Sequence, residues 1–425
     1  MPAEAASLQR PPALESRTER CRPQDPISLF ANSADAEYRG VWLRPARGEA
    51  LVAIGSAYHL VGHGGTRFEQ VQAAWRDLTA DADARQGQRG PIVFGGFSFD
   101  PLNARTELWS TFADADLVLP ERLFTLRGGS AWLTRNAVLG PTAPHTMSRA
   151  GTTTERTLPD ARAWQALVGS VAAGIRTRRL GVDKVVLARS KQVTVRRPLE
   201  AVLRHLTASY PTCTVFAVAT TDACFVGATP ERLVAVRRGM ASTVALAGST
   251  PRGATLAEDD ALAARLLADP KERTEHAVVV AALSEAMAQT CTRAAAAVEP
   301  RVYRLPNLQH LLTPIHGQVA AGRGVLDLVA RLHPTPALGG YPRERALELI
   351  RECEGLDRGW YAGPIGWMDA AGQGEFVVGL RSALLRGDTA TLFAGCGIVA
   401  DSDPTREAAE WGWKLRPMLA ALDAE

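Results

Sequence analysis

At 425 residues the chain is longer than one ordinary domain, and with 46% hydrophobic residues it can bury a sizeable core. Charged residues make up 22% and the formal net charge is +3, a balance that argues against nucleic acid or an anionic membrane surface as partner. No apolar run of about 18 residues is present, so no membrane-spanning helix is expected. The six cysteines form no CxxC pair and no disulfide framework. They are expected to be reduced thiols in a cytoplasmic protein.

In chain order, residues 1–25 are polar and proline-rich, lack the apolar core of a signal peptide, and are expected to be a disordered extension. Residues 26–150 hold short strand-like runs broken by glycine, at YRGVWLRP, EALVAIGSAYHLVG and PIVFGGFSFD, with one helix near 67–83. The Gly/Thr/Pro-rich stretch 138–158 is a loop or linker. The region 160–422 opens with a helix to 179 and alternates strands at 183–196, 214–220, 223–228 and 232–237 with helices at 197–209, 257–268, 271–290 and 325–332. Strands return at 363–369, 374–386 and 389–399, with a hairpin turn at Gly387-Asp388. A last helix begins with Asp403 as N-cap and Pro404 in its first turn. The pattern predicts an α+β protein with large antiparallel sheets and packed helices.

Carboxylates on two helices are the strongest chemical signal. Glu272 and Glu275 stand three apart, and Glu407, Glu410 and Lys414 share one face at i, i+3 and i+7. Four such groups suit a hard cation such as Mg²⁺, although solvated helix faces produce the same spacing more often. Glu231 follows a strand and a Thr-Pro turn, a placement that can present an acid to a cleft. Gly248 and Ser249, in VALAGSTPRG, let backbone approach a ligand closely, but no P-loop follows. His310 and His333 each fit a satisfied structural histidine, and His276, next to Glu275, is a candidate to support a metal ligand. Arg381 can fork onto a carboxylate or form a structural ion pair. Lys184, in VDKVVLARS, fits a solvated strand lysine as well as a buried one. No GxSxG and no GxGxxG after a strand is present.

In this order, KVVLARS, FVGATPERL, ALAGSTPRG, KERTEH, HPTPALGG, RGWYAGPIGW, LRSALL and AGCGIVADSDPTREAAEWGWKL resemble the signature segments of the chorismate-utilising enzymes. That family includes isochorismate, salicylate, anthranilate and aminodeoxychorismate synthases. The resemblance spans 160–422, and FGGFSFDP at 94–101 extends it into the first half. It implies one large α+β unit, chorismate as substrate and Mg²⁺ as cofactor. It further implies Glu272, Glu275, Glu407 and Glu410 as metal ligands, Lys184 as general base toward water and Glu231 as general acid. Arg381, Tyr361, Lys414 and the Gly395 amide would hold the side-chain carboxylate, while Gly248, Ser249 and His310 would line the ring. Ala337 stands where salicylate synthases usually carry threonine, and Ala247 where aminodeoxychorismate synthases often carry lysine. Ammonia-using relatives usually have glutamine in place of Lys184. The chain is therefore most similar to the isochorismate synthase branch, with no amidotransferase subunit and a monomeric state expected. Ser249, commonly threonine, and Trp411-Gly412-Trp413 depart from the family pattern without shifting Glu407, Glu410 or Lys414 out of register.

Overall fold

The computed structural model describes residues 13–80, 90–140, 160–305 and 308–423. Two antiparallel sheets dominate these residues. The first has eleven strands, in the order Ala13–Cys21, Ser130–Leu139, Arg122–Arg127, Glu49–Ile54, Arg39–Arg44, Thr214–Ala219, Cys224–Thr229, Ser382–Arg386, Thr389–Ile398, Lys184–Thr194 and Gly340–Tyr341. The second, of ten strands, runs Cys291–Ala296, Leu308–Val319, Met240–Pro251, Arg232–Arg237, Gly374–Val378, Pro364–Asp369, Ile92–Phe97, Ala115–Leu119 and Tyr58–Gly62. Arg301–Arg304 also pairs with Leu308–Val319.

Strand alternation explains how the sheets are buried on two faces. In Thr214–Ala219, Phe216 and Val218 join a core that also takes Phe94, Phe97 and Phe376 from the second sheet. Val215, Ala217 and Ala219 point the other way, into a cluster with Val202, Leu203 and Leu206 of the helix Leu199–Ser209 and Leu415 and Met418 of the helix Pro404–Leu422. An aromatic edge ties the sheets together where Trp42 meets Phe94 at 6.2 Å between ring centroids, and within the second sheet Phe97 lies 6.0 Å from Phe376.

Several expectations are corrected. Disorder does not extend to residue 25: Ala13–Cys21 pairs along its whole length with Ser130–Leu139, and Pro26–Ala31 is a short helix capped by Asp25. Sheet pairing supplies order that a polar composition does not suggest. Residues 1–12 lie outside the described residues, as do 141–158 of the expected linker. The expected range 374–386 holds two strands, Gly374–Val378 and Ser382–Arg386, one in each sheet. Residues 244–251 of VALAGSTPRG belong to the strand Met240–Pro251, which carries a register shift between Ala247 and Ser249. Gly248 sits at that shift with φ +77, a backbone conformation that favours glycine and produces a bulge. The helix Arg343–Cys353 and the long strand Leu308–Val319 were not anticipated. All six cysteines are free, and no described helix is long and apolar enough to cross a membrane.

Candidate active site

A cleft of about 340 Å³ lies where the chain passes from one sheet to the other. Pro230 and Glu231 form one crossing, between Cys224–Thr229 and Arg232–Arg237. Gly379, Leu380 and Arg381 form the other, between Gly374–Val378 and Ser382–Arg386. The crossings are bonded to each other: Val378 N donates to Glu231 O at 3.0 Å, and Ala228 N donates to Arg381 O at 3.1 Å. The turn carrying Tyr361 joins them through Ala362 N, which donates to Gly379 O at 3.0 Å. Arg381 has φ 48 and Ala362 φ 60. Left-handed backbone costs an ordinary L-residue about 1–2 kcal/mol, so these turns are held open by the seam they bridge.

The site residues that the family resemblance implies all line this one cleft: Lys184, Glu231, Gly248, Ser249, Glu272, Glu275, His310, Ala337, Tyr361, Arg381, Gly395, Glu407, Glu410 and Lys414. Lys184 opens the strand Lys184–Thr194, paired on one side with Tyr341 of a two-residue edge strand. It is 9% exposed, so it is not a solvated strand lysine, and its ammonium is ion-paired with Glu275. Glu275 and Glu272 come from the first half of the helix Pro270–Ala288, capped by Asp269. Glu407 and Glu410 come from the helix Pro404–Leu422, capped by Asp403 as the sequence predicts. Lys414 donates to Glu410 at 2.6 Å and to Gly395 O at 2.7 Å.

The electrostatics divide the cleft into two halves. Burial lifts the Glu231 carboxyl from 4.5 to about 7, against the opposing pull of Arg381, Lys184 and Lys414. Burial, and then each neighbouring glutamate, also raises Glu272 and Glu407. Each helix thus presents a crowded glutamate pair to the cleft, the kind of oxygen environment that hard divalent cations relieve, and among the described residues Cys396, Glu407 and Glu410 bring their ligand atoms within 4.8 Å of one another. His310 is pushed down to about 4 by burial and by Arg381, so it is neutral; its Nδ1 lies 2.8 Å from Ser249 Oγ and 3.3 Å from Gly248 O. The bulge at Gly248 brings Ser249 opposite His310 in the strand register. Burial raises Tyr361 to about 12, and its ring stacks on Phe393 at 5.2 Å.

Two candidate histidines are structural. His276 does not support a metal ligand: its Nε2 lies 2.7 Å from Thr313 Oγ1 and its Nδ1 3.3 Å from Ala247 O, turned into the strands below the helix. His333 is buried, with Nε2 2.9 Å from Phe99 O. Sequence reasoning missed Lys271 and Arg406 in the cleft lining, and it missed Arg358. The Arg358 guanidinium forms a buried pair with Glu354 at 2.6 Å and donates to Val186 O at 2.7 Å and Leu338 O at 3.2 Å. Glu354 in turn accepts from Ala188 N at 2.7 Å. The pair ties the backbone of the Lys184 strand to the loop bearing Ala337. The i, i+4 spacing of Glu354 and Arg358 was the available signal, but it is shared by many surface pairs.

The chain is similar to proteins of one enzyme family. The family model described as "Chorismate binding enzyme" matches residues 3–150 and 142–423. The chain is 39% identical to the "Salicylate biosynthesis isochorismate synthase" of Pseudomonas aeruginosa, over 99% of this chain and 92% of the relative. It is 35% identical to "Isochorismate synthase MenF" of Bacillus subtilis, over 94% of this chain and 92% of the relative. Among solved structures, the menaquinone-specific isochorismate synthase MenF of Escherichia coli superposes with a TM-score of 0.79 at 25% identity, covering 97% of this chain and 95% of that one.

Proposed function

The chain belongs to the chorismate-binding enzymes, and from that premise we propose how it acts as an isochorismate synthase, adding water at C2 of chorismate while the C4 hydroxyl departs. One observation carries the assignment of roles: a lysine and a carboxyl lifted to about 7 line the same cleft as four further carboxylates. Lys184, once its ammonium has released a proton, takes one from water as the water oxygen bonds to C2. The C1–C2 π pair shifts to C1–C6, the C5–C6 pair shifts to C4–C5, and the C4–O bond breaks. Hydroxide is a poor leaving group, so Glu231, protonated up to about pH 7, supplies the proton that lets it depart as water. One water is consumed and one released.

Arg381, Tyr361, Lys414 and the Gly395 amide bind the enolpyruvyl carboxylate. Gly248, Ser249 and neutral His310 line the ring near C4. The crowded oxygen donors of Glu272, Glu275, Glu407 and Glu410 fit Mg²⁺, which when bound would neutralise the ring carboxylate and withdraw electrons from the ring. We place the enzyme in the cytoplasm, where its thiols stay reduced, acting as a monomer without an amidotransferase subunit.

Incubation with chorismate and Mg²⁺ in the absence of ammonia, followed by mass spectrometry, tests the activity. Isochorismate as sole product is expected. Salicylate with pyruvate would make the chain a salicylate synthase, and unconsumed chorismate would make it a silent binding subunit. For the metal, Glu275→Gln is expected to raise the Mg²⁺ concentration for half-maximal turnover roughly tenfold or more, or to abolish turnover. An unchanged Mg²⁺ titration, checked by calorimetry, would remove Glu275 from the metal site.

A further inference from the structure

The strand Thr389–Ile398 runs beside Lys184–Thr194, with Gly397 opposite Val186 and Ile398 opposite Val185. Lys184 is therefore the diagonal neighbour of Gly397 on the cleft face, within reach of a long side chain. A Cβ built on Gly397 would stand 2.6 Å from Lys184 Cε and 3.2 Å from its Nζ. Carbon atoms at their best separation are about 3.5–4.0 Å apart. Gly397 does not have the left-handed backbone of the chain's turn glycines, so the backbone conformation does not explain the choice of residue. The lysine stem occupies the space that a side chain would fill.

We infer that Gly397 is a positioning residue, whose missing Cβ forms the slot through which Lys184 crosses the neighbouring strand to reach the cleft. On the far side of the slot the ammonium meets Glu275, so the lysine is held between a bare stretch of backbone and a carboxylate. A methyl group at Gly397 meets the mobile end of a side chain and not fixed backbone. The fold can therefore accommodate it by displacing the ammonium. The kinetic part of this inference rests on Lys184 as the base; the steric part does not.

Two measurements on Gly397→Ala test it. A crystal structure is expected to show Lys184 Nζ displaced from Glu275, and an undisplaced Nζ overturns the inference. Kinetically, kcat is expected to fall ten- to a hundredfold with the KM for chorismate changed less than threefold. In a Lys184→Ala background the same substitution is expected to cost less than twofold. An equal loss in both backgrounds would mean that Gly397 serves the substrate or the backbone, and would overturn the slot. Should Gly397→Ala fail to fold, the double variant decides: folding on removal of the lysine stem supports the slot, and failure to fold overturns it. Wild-type turnover by Lys184→Ala would remove the base assignment alone, leaving the crystallographic test in force.

Discussion

Replacing Lys184 with alanine is expected to lower kcat for water addition by about 10²–10⁴, the range for loss of a positioned general base. The KM for chorismate should change little, because the groups assigned to its carboxylates lie on other elements. A stopped assay that quantifies isochorismate checks this, with circular dichroism to establish folding. Lys184→Gln carries a sharper expectation, since it retains hydrogen bonding and removes the base; it should be as impaired as alanine toward water. Turnover near the wild-type rate in either variant would end the assignment.

Glu231→Gln is expected to have a loss of similar size, with a pH signature that Lys184 variants lack. Burial raises the Glu231 carboxyl to about 7, so wild-type kcat/KM should fall as pH rises through that value and the acid loses its proton. The residual activity of Glu231→Gln should lack that limb. Wild-type stability falls over the same range. A carboxyl whose value is raised from 4.5 to about 7 binds its proton more tightly in the folded chain than in the unfolded one. The stability this contributes is full below about 4.5 and is lost as pH rises through about 7. Glutamine cannot ionise, so above pH 7 the variant should melt at a higher temperature than wild type. The gain is at most roughly 3 kcal/mol, less where cleft water screens the charge. An unaltered alkaline limb, or a Tm difference independent of pH, would remove Glu231 as the acid.

The parts of the site that were legible in the sequence are those that local periodicity fixes. Glu272 with Glu275, and Glu407 with Glu410 and Lys414, follow from helix spacing, and Asp403-Pro404 marks where their helix starts. The ordered motifs brought the remaining residues onto one list. What periodicity does not encode is the partner across a sheet. Apolar alternation marks Arg232–Arg237 and Cys224–Thr229 as strands but does not say that they belong to different sheets, and the cleft exists because they do. The crossing at Arg381 was invisible for a further reason: its left-handed turn is made by arginine and not by the glycine or asparagine that would announce it. Leu308–Val319 was hidden by Pro314 and by the polar Gln309, His310, Thr313, His316 and Gln318, which fall on both faces and break its alternation. The strand Ala13–Cys21 was hidden by charges that point to solvent along the edge of a sheet.

The order of strands has a consequence for how the protein acquires its shape. Arg39–Arg44 pairs with Thr214–Ala219, and Ile92–Phe97 pairs with Pro364–Asp369, so each sheet is stitched from both halves of the chain. Neither 26–150 nor 160–422 contains a complete sheet. Ladders spanning more than 170 positions carry a large loop-closure entropy before any contact repays it, and such topologies fold slowly. The seam that carries Glu231 and Arg381 lies between those ladders. The cleft also needs Arg381 and the carboxylates of Pro404–Leu422, so a chain emerging from the ribosome has no working cleft until its final third has been synthesised.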